Sequence, residues 1–138
     1  MISPQLIVID ASAFVEMLLR TPLGQDLAGR AAAPGVDRHL PDLCDVEVAS
    51  ALRALVLRGT LAASRAEQAL EDYMEIPVTR HPHTALLPRM FALRNNFSAY
   101  DASYVVLAEV LDARLLSGDR RLVASVRRFT GVATEPVP

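Results

Sequence analysis

The chain has 138 residues, of which 51% are apolar and 22% charged, with a formal net charge of −2. That is enough for one domain with a sizeable core, and the composition excludes disorder. The charge balance excludes broad attraction to nucleic acid, so any such partner has to be met by local positive charge. All fourteen basic residues are arginine, which removes enzymes built on a Schiff-base or P-loop lysine. A single cysteine, Cys44, excludes an internal disulfide and a cysteine-rich zinc site, and reads as a small buried packing residue. The apolar runs are too short for a membrane span, and no basic segment precedes the first of them. A cytoplasmic protein without a membrane partner is therefore expected.

In chain order, QLIVID (5–10) is a continuous apolar run suited to a central parallel strand, and it ends on Asp10. SAFVEMLLR (12–20) has helical composition, and Pro22 opens a second helix reaching about Ala32. AAPGVD (32–37) is a loop, and RHLP (38–41) a short strand. LCDVEVASALRALVLRG (43–59) is a strong helix stopped by Gly59. It is apolar nearly all round, which predicts burial on most sides. Its polar exceptions Glu47, Ser50 and Arg53 recur every third position and are expected to share one line. SRAEQALEDYM (64–74) is an amphipathic outer helix, and IPVTR (76–80) a strand weakened by Pro77. The segment 83–94 reads as helical, closed by Asn95 and Asn96. SAYDASYVVLAEVLDA (98–113) is a second buried helix, RLLSGD (114–119) a strand and turn, and DRRLVASVRRF (119–129) a basic helix. The whole, 1–138, forms a single domain, with 134–138 expected to fray. Alternating strands and helices predict an α/β fold: a parallel sheet flanked by helices, with ligands beyond the carboxyl ends of the strands.

Four carboxylates stand at the junctions of apolar elements: Asp10 after the first strand, Glu47 early in one buried helix, Asp101 early in the other, and Asp119 after the last strand. Singly, each has a structural reading. Asp10 and Asp119 suit helix N-caps, Ser98 and Asp101 have capping-box spacing, and Glu47 can pair with Arg53. Jointly they repel one another on one cleft unless a hard cation lies between them. Mg²⁺ and Mn²⁺ prefer such oxygen donors.

At these residues the chain resembles a known family. IVIDASAF, PDLCDVEVASALR and YDASYVVLAEVLDARLLSGDRRL, in that order, look like a PIN domain, and more closely the VapC-type toxin ribonucleases of bacterial toxin–antitoxin pairs. The resemblance spans about residues 6–126. It implies a three-layer arrangement, with a parallel sheet of four or five strands between helices. It also implies a Mg²⁺- or Mn²⁺-dependent endoribonuclease whose catalytic, metal-holding acids are Asp10, Glu47, Asp101 and Asp119. Ser12 matches the small hydroxyl residue after the first acid, and Ser117 stands where the family commonly has threonine. Arg53 is a supporting residue that steadies an acid or meets substrate. Either Asp101 or Asp119 holds the attacking water. The resemblance also implies an RNA substrate, a VapB-type antitoxin and a homodimer. From the sequence itself, the apolar or mixed faces at 14–19 and in the helix at 64–74 are the expected contact surfaces.

RNA needs positive charge beside the pocket. Arg120 and Arg121 follow Asp119 directly, and Arg80 and Arg94, with His81 and His83, form a second rim. Other acid-bearing α/β folds fit less well. A phosphoacceptor receiver domain needs a late lysine, and a haloacid-dehalogenase-type phosphatase needs an aspartate where Ser12 stands. The alternative from another class is a catalytically silent PIN-fold binding module held by a protein partner.

Overall fold

The computed structural model describes residues 3–135. Its elements are β1 (Gln5–Ile9), α1 (Ala11–Leu18), α2 (Pro22–Ala31), β2 (Val36–Pro41), α3 (Leu43–Leu57), α4 (Ala63–Glu75), β3 (Thr79–His81), a 3₁₀ turn (Thr84–Leu86), α5 (Leu87–Ala92), α6 (Ala99–Leu111), β4 (Arg114–Leu116) and α7 (Arg120–Phe129). The strands form one sheet in the order β3-β2-β1-β4, and every pairing is parallel.

That order fixes where a ligand can enter. From β1 the chain steps outward to β2 and β3, then returns to lay β4 on the other side of β1. The direction of winding reverses at β1 and β4, so a crevice opens beyond their carboxyl ends. Asp10 and Asp119 leave the sheet at that crevice.

Burial follows from composition. Ile7, Val8 and Ile9 are all buried, as a central strand covered on both faces requires. Helices α1 to α4 pack against one another, and α6 lies along β1, β2 and β4 with α5 beside it. Ala102 through Ala108 of α6 are buried without a break, so this helix is enclosed all round, as its sequence predicts. Phe14 is fully buried and meets the Tyr73 ring edge-on at 5.0 Å. Gly24 lets α2 approach the α1 backbone so closely that a Cβ there would stand 1.8 Å from the Glu16 carbonyl oxygen.

Four expectations need correction. Helix α3 buries only a stripe, Cys44, Val48 and Leu52, while Val46 and Leu57 are each 67% exposed. Its remaining apolar residues include three alanines and the half-buried Leu43, Leu55 and Val56, which flank the stripe without being enclosed. Strand β3 covers Thr79–His81 rather than 76–80. The preceding Pro77 has no N–H for a ladder, and its carbonyl instead accepts from Arg38 Nε at 2.9 Å. The segment 83–94 divides into the 3₁₀ turn and α5, because Pro88 starts a new helix and cannot continue an old one. Thr134 and Glu135 do not fray. Thr134 bridges to Leu115, and the Glu135 carboxylate takes Arg114 Nε at 2.8 Å and an Arg30 guanidinium nitrogen at 3.1 Å. Residues 136–138 lie outside the described ones. No described helix is long and apolar enough to cross a membrane.

Candidate active site

Asp10 is both the end of β1 and the N-cap of α1. Its backbone is extended (φ −86°, ψ 169°), and its N–H donates to the Leu116 carbonyl of β4 at 3.1 Å. Its carboxylate is only 4% exposed. Oδ1 accepts from the Ser12 hydroxyl at 2.7 Å and from the Ala13 N–H at 2.9 Å, and Oδ2 accepts from the Ser117 hydroxyl. The two serines arrive from ends of the sequence 105 positions apart, with their oxygens 3.4 Å from each other. Ser12 Oγ also accepts from the Gly118 N–H, and Ser117 Oγ from the Asp119 N–H, both at 3.0 Å. A side chain at position 118 would press on Ser12, where a Cβ would lie 3.4 Å from both its oxygens. The turn after β4 is thereby fastened to the start of α1.

The other three acids stand on the same side. Asp119 caps α7, accepting from the N–H groups of Arg121 at 2.9 Å and Leu122 at 3.3 Å. Asp101 lies in the first turn of α6, where its N–H donates to the Ser98 hydroxyl at 3.1 Å. Glu47 lies on α3, and its Oε1 accepts from the Tyr104 hydroxyl at 2.6 Å. The capping readings of Asp10 and Asp119 are thus correct, and they coexist with the shared location.

Burial pushes the Asp10 carboxyl up to about 6, against the pull of Ser117, Ser12 and the Ala13 N–H, and the Asp119 charge adds to the rise. Asp101 is pushed up by burial and then by Asp119, with Ser98 offsetting. Glu47 is pushed up by burial, eased by Tyr104, and raised again by Asp101. The repulsions link Asp10 to Asp119, Asp119 to Asp101, and Asp101 to Glu47 in a row. Among the described residues no three His, Cys, Asp or Glu side chains close into a cage around one point. The donors nevertheless suit a hard cation in kind, being carboxylates that burial and one another leave short of positive charge. A recess of about 350 Å³ opens beside them, lined by Asn96, Phe97, Asp101, Asp119, Arg121, Leu122 and Ser125.

The sequence profile of the PIN domain matches residues 7–127. The chain belongs to the PIN-domain family. Among curated relatives, this PIN domain is 42% identical over 117 residues to Ribonuclease VapC9 of Mycobacterium tuberculosis, covering 85% of this chain and 88% of that one. It is therefore a PIN domain of the VapC ribonuclease group. Its fold is similar to the crystal structure of a protein from Pyrobaculum aerophilum (TM-score 0.67, 23% identity, 94% of this chain and 83% of the other). It is also similar to that of M. tuberculosis VapC20, a toxin described as cleaving the sarcin–ricin loop (TM-score 0.61, 15% identity, 86% and 94%).

Not every residue singled out from the sequence reaches the acids of this PIN domain. Arg53 is exposed and lines a shallow depression between α3 and α4 with Leu52 and Leu70. Each three-residue step turns a helix about 60° short of a full circle, so Arg53 has rotated by about 120° from Glu47. Glu47 pairs with Tyr104 instead. Arg80 is engaged with Asp45, its Nε at 3.0 and 2.9 Å from the two oxygens, and lies over the Tyr73 ring. Arg94 lies over the Phe91 ring, 4.7 Å from its centre. His81 and His83 do not act together; His81 Nε2 faces Nδ1 of buried His39 at 2.8 Å. Arg121 does line the recess, and Arg120 begins α7 next to Asp119. The sequence reading missed Tyr104, whose position three residues after Asp101 was its one signal.

Proposed function

We propose that this PIN domain is a divalent-cation-dependent endoribonuclease, hydrolysing RNA phosphodiester bonds as the toxin of a type II toxin–antitoxin pair in the cytoplasm. Membership of the VapC ribonuclease group supports the reaction class. The observation that carries the metal dependence is the row of four mutually repelling carboxylates at the crevice between β1 and β4. Asp10, Glu47, Asp101 and Asp119 hold Mg²⁺ or Mn²⁺. When bound, the cation supplies the Lewis acidity that makes water a nucleophile near neutral pH and offsets charge on the phosphate.

The chain's own groups do the remaining work. Ser12, Ser117 and the Ala13 N–H fix both Asp10 oxygens, so this carboxylate is oriented before substrate arrives. Asp101 borders the open recess, where its carboxylate can accept a hydrogen bond from the attacking water and orient it. Arg121, on the same recess, neutralises a neighbouring phosphate of the strand. A VapB-type antitoxin and a second copy of the chain are the protein partners. Over the buried Phe14, the apolar cleft of about 370 Å³ along Met17, Leu18 and Ile76 supports a contact surface within 14–19.

The test is cleavage of a structured RNA by the purified chain. Activity with Mg²⁺ or Mn²⁺, none with chelator, and none from Asp101→Asn is the expected result. Undiminished cleavage by Asp101→Asn, or in chelator, would refute the mechanism. A wild-type chain that cleaves no RNA with either cation would favour the silent binding module.

A further inference from the structure

Tyr104 has no part in the chemistry above, yet it connects two of its elements. It stands on α6 one turn after Asp101, 2% exposed, and its hydroxyl reaches 57 positions back to Glu47 on α3. A carboxylate can only accept, so the phenol donates. The buried Cys44 thiol has both Tyr104 and Tyr73 as neighbours. Tyr73, from α4, donates at 2.6 Å to Asp45 Oδ1. Asp45 and Glu47, two positions apart on α3, are thus each held by a phenol from a different helix.

The bond to Glu47 opposes a specific force. Asp101 repels Glu47, and Glu47 is only half-buried, so water offers its carboxylate an escape. A glutamate also loses considerable rotamer freedom when it is held in one place. We infer that Tyr104 is a positioning residue for Glu47: by holding Oε1 it keeps the carboxylate beside Asp101, with Oε2 left to meet a cation. Ligating carboxylates are commonly fixed by such outer hydrogen bonds, and their loss typically costs about 10- to 100-fold in metal affinity. This inference rests on the reading of Glu47 as a cation ligand, and the experiment keeps the two apart.

Mn²⁺ affinity is measured by calorimetry on the RNA-free protein, for wild type, Tyr104→Phe, Glu47→Gln and the double variant. Tyr73→Phe serves as the control that disturbs the same cluster without touching Glu47. Tyr104→Phe is expected to weaken Mn²⁺ binding about tenfold or more, while Tyr73→Phe leaves it unchanged. In the Glu47→Gln background, Tyr104→Phe should have no further effect. Unchanged affinity in Tyr104→Phe, or an equal further loss in the double variant, overturns the inference while the cation reading stands. A wild-type chain that binds no Mn²⁺ overturns both. Should Tyr104→Phe not fold, wild-type protein carrying ¹³C-labelled tyrosine replaces it. Mg²⁺ then shifts the Tyr104 ring signals more than those of Tyr73, and an unmoved Tyr104 overturns the inference.

Discussion

Replacing Asp10 with asparagine is expected to stop RNA cleavage and, without divalent cation, to make the protein more stable. The magnitude comes from the carboxyl itself, which moves from 3.8 in an unperturbed setting to about 6 in the fold. The difference is about two pH units, and each unit is worth 1.36 kcal/mol, so the ionised group costs the fold about 3 kcal/mol. Below the unfolded value both states are protonated and the cost vanishes. As pH rises between the two values, the unfolded chain has released its proton and the folded one has not, so stability falls until the full cost is reached above about 6. Asparagine removes the charge and keeps the shape. Its oxygen still accepts from Ser12 and the Ala13 N–H. Its amide donates to Ser117 Oγ, whose proton turns toward the Ser12 oxygen 3.4 Å away. The assay is urea unfolding of both proteins in chelator at about pH 4 and about pH 8, expecting a gain near 3 kcal/mol at the higher pH and about 0.5 kcal/mol at the lower, where only the unfolded carboxyl has begun to ionise. A variant no more stable at the higher pH, or equally favoured at both, would refute the reasoning. Added Mn²⁺ should narrow the gap, because it stabilises only the protein that binds it.

Gly24→Ala should destabilise by about 3 kcal/mol or more in urea unfolding, since its Cβ would strike backbone atoms of Glu16 and Met17 that cannot step aside; a loss below about 1 kcal/mol would mean that α1 and α2 separate freely. Arg121→Ala, made in Asp10→Asn protein so that RNA survives, should weaken binding of single-stranded RNA regardless of sequence. It should also lower the salt slope by about 0.7, and an unchanged slope would remove Arg121 from the phosphate path. Arg80→Ala should leave cleavage intact and cost under about 1 kcal/mol in thermal melts, because its pair with Asp45 is partly exposed at 35% and 45%. Loss of cleavage in that variant would restore Arg80 to the substrate surface.

What the sequence made legible depended on distance along the chain. β1 and the acid after it are local: a buried strand that runs into Asp10 can be read from six residues. Asp119 is legible for the same reason, and the α/β alternation carries the sheet. Contacts between remote segments were not legible from periodicity. Ser12 and Ser117 meet on Asp10 only because β4 returns to the side of β1, and His39 meets His81 only as a diagonal neighbour, since the register of β2 against β3 sets His39 opposite Thr79 and His81 opposite Pro41. Tyr104 was hidden by the opposite effect. It sits in a long apolar run, where the ring counts as core and the hydroxyl carries no periodic signal. Arg53 stands off the Glu47 line for a geometric reason, since an interval of three shares a helix face only over one step. The end of the chain was misjudged because polar composition does not reveal that two arginines await Glu135.

The attachment of residues 133–135 to β4 matters beyond local order. Strand β4 closes one side of the sheet, and such an edge offers unpaired N–H and C=O groups to any passing strand. Here the Leu115 N–H donates to the Ala133 carbonyl at 2.8 Å, and the Leu115 carbonyl accepts from the Glu135 N–H at 2.9 Å. The segment therefore guards the sheet against self-assembly, and it does so on the strand that delivers Ser117 and Asp119. Trimming it away would bare a sticky border beside the crevice between β1 and β4, so shortened versions of this protein should show clumping before they show unfolding.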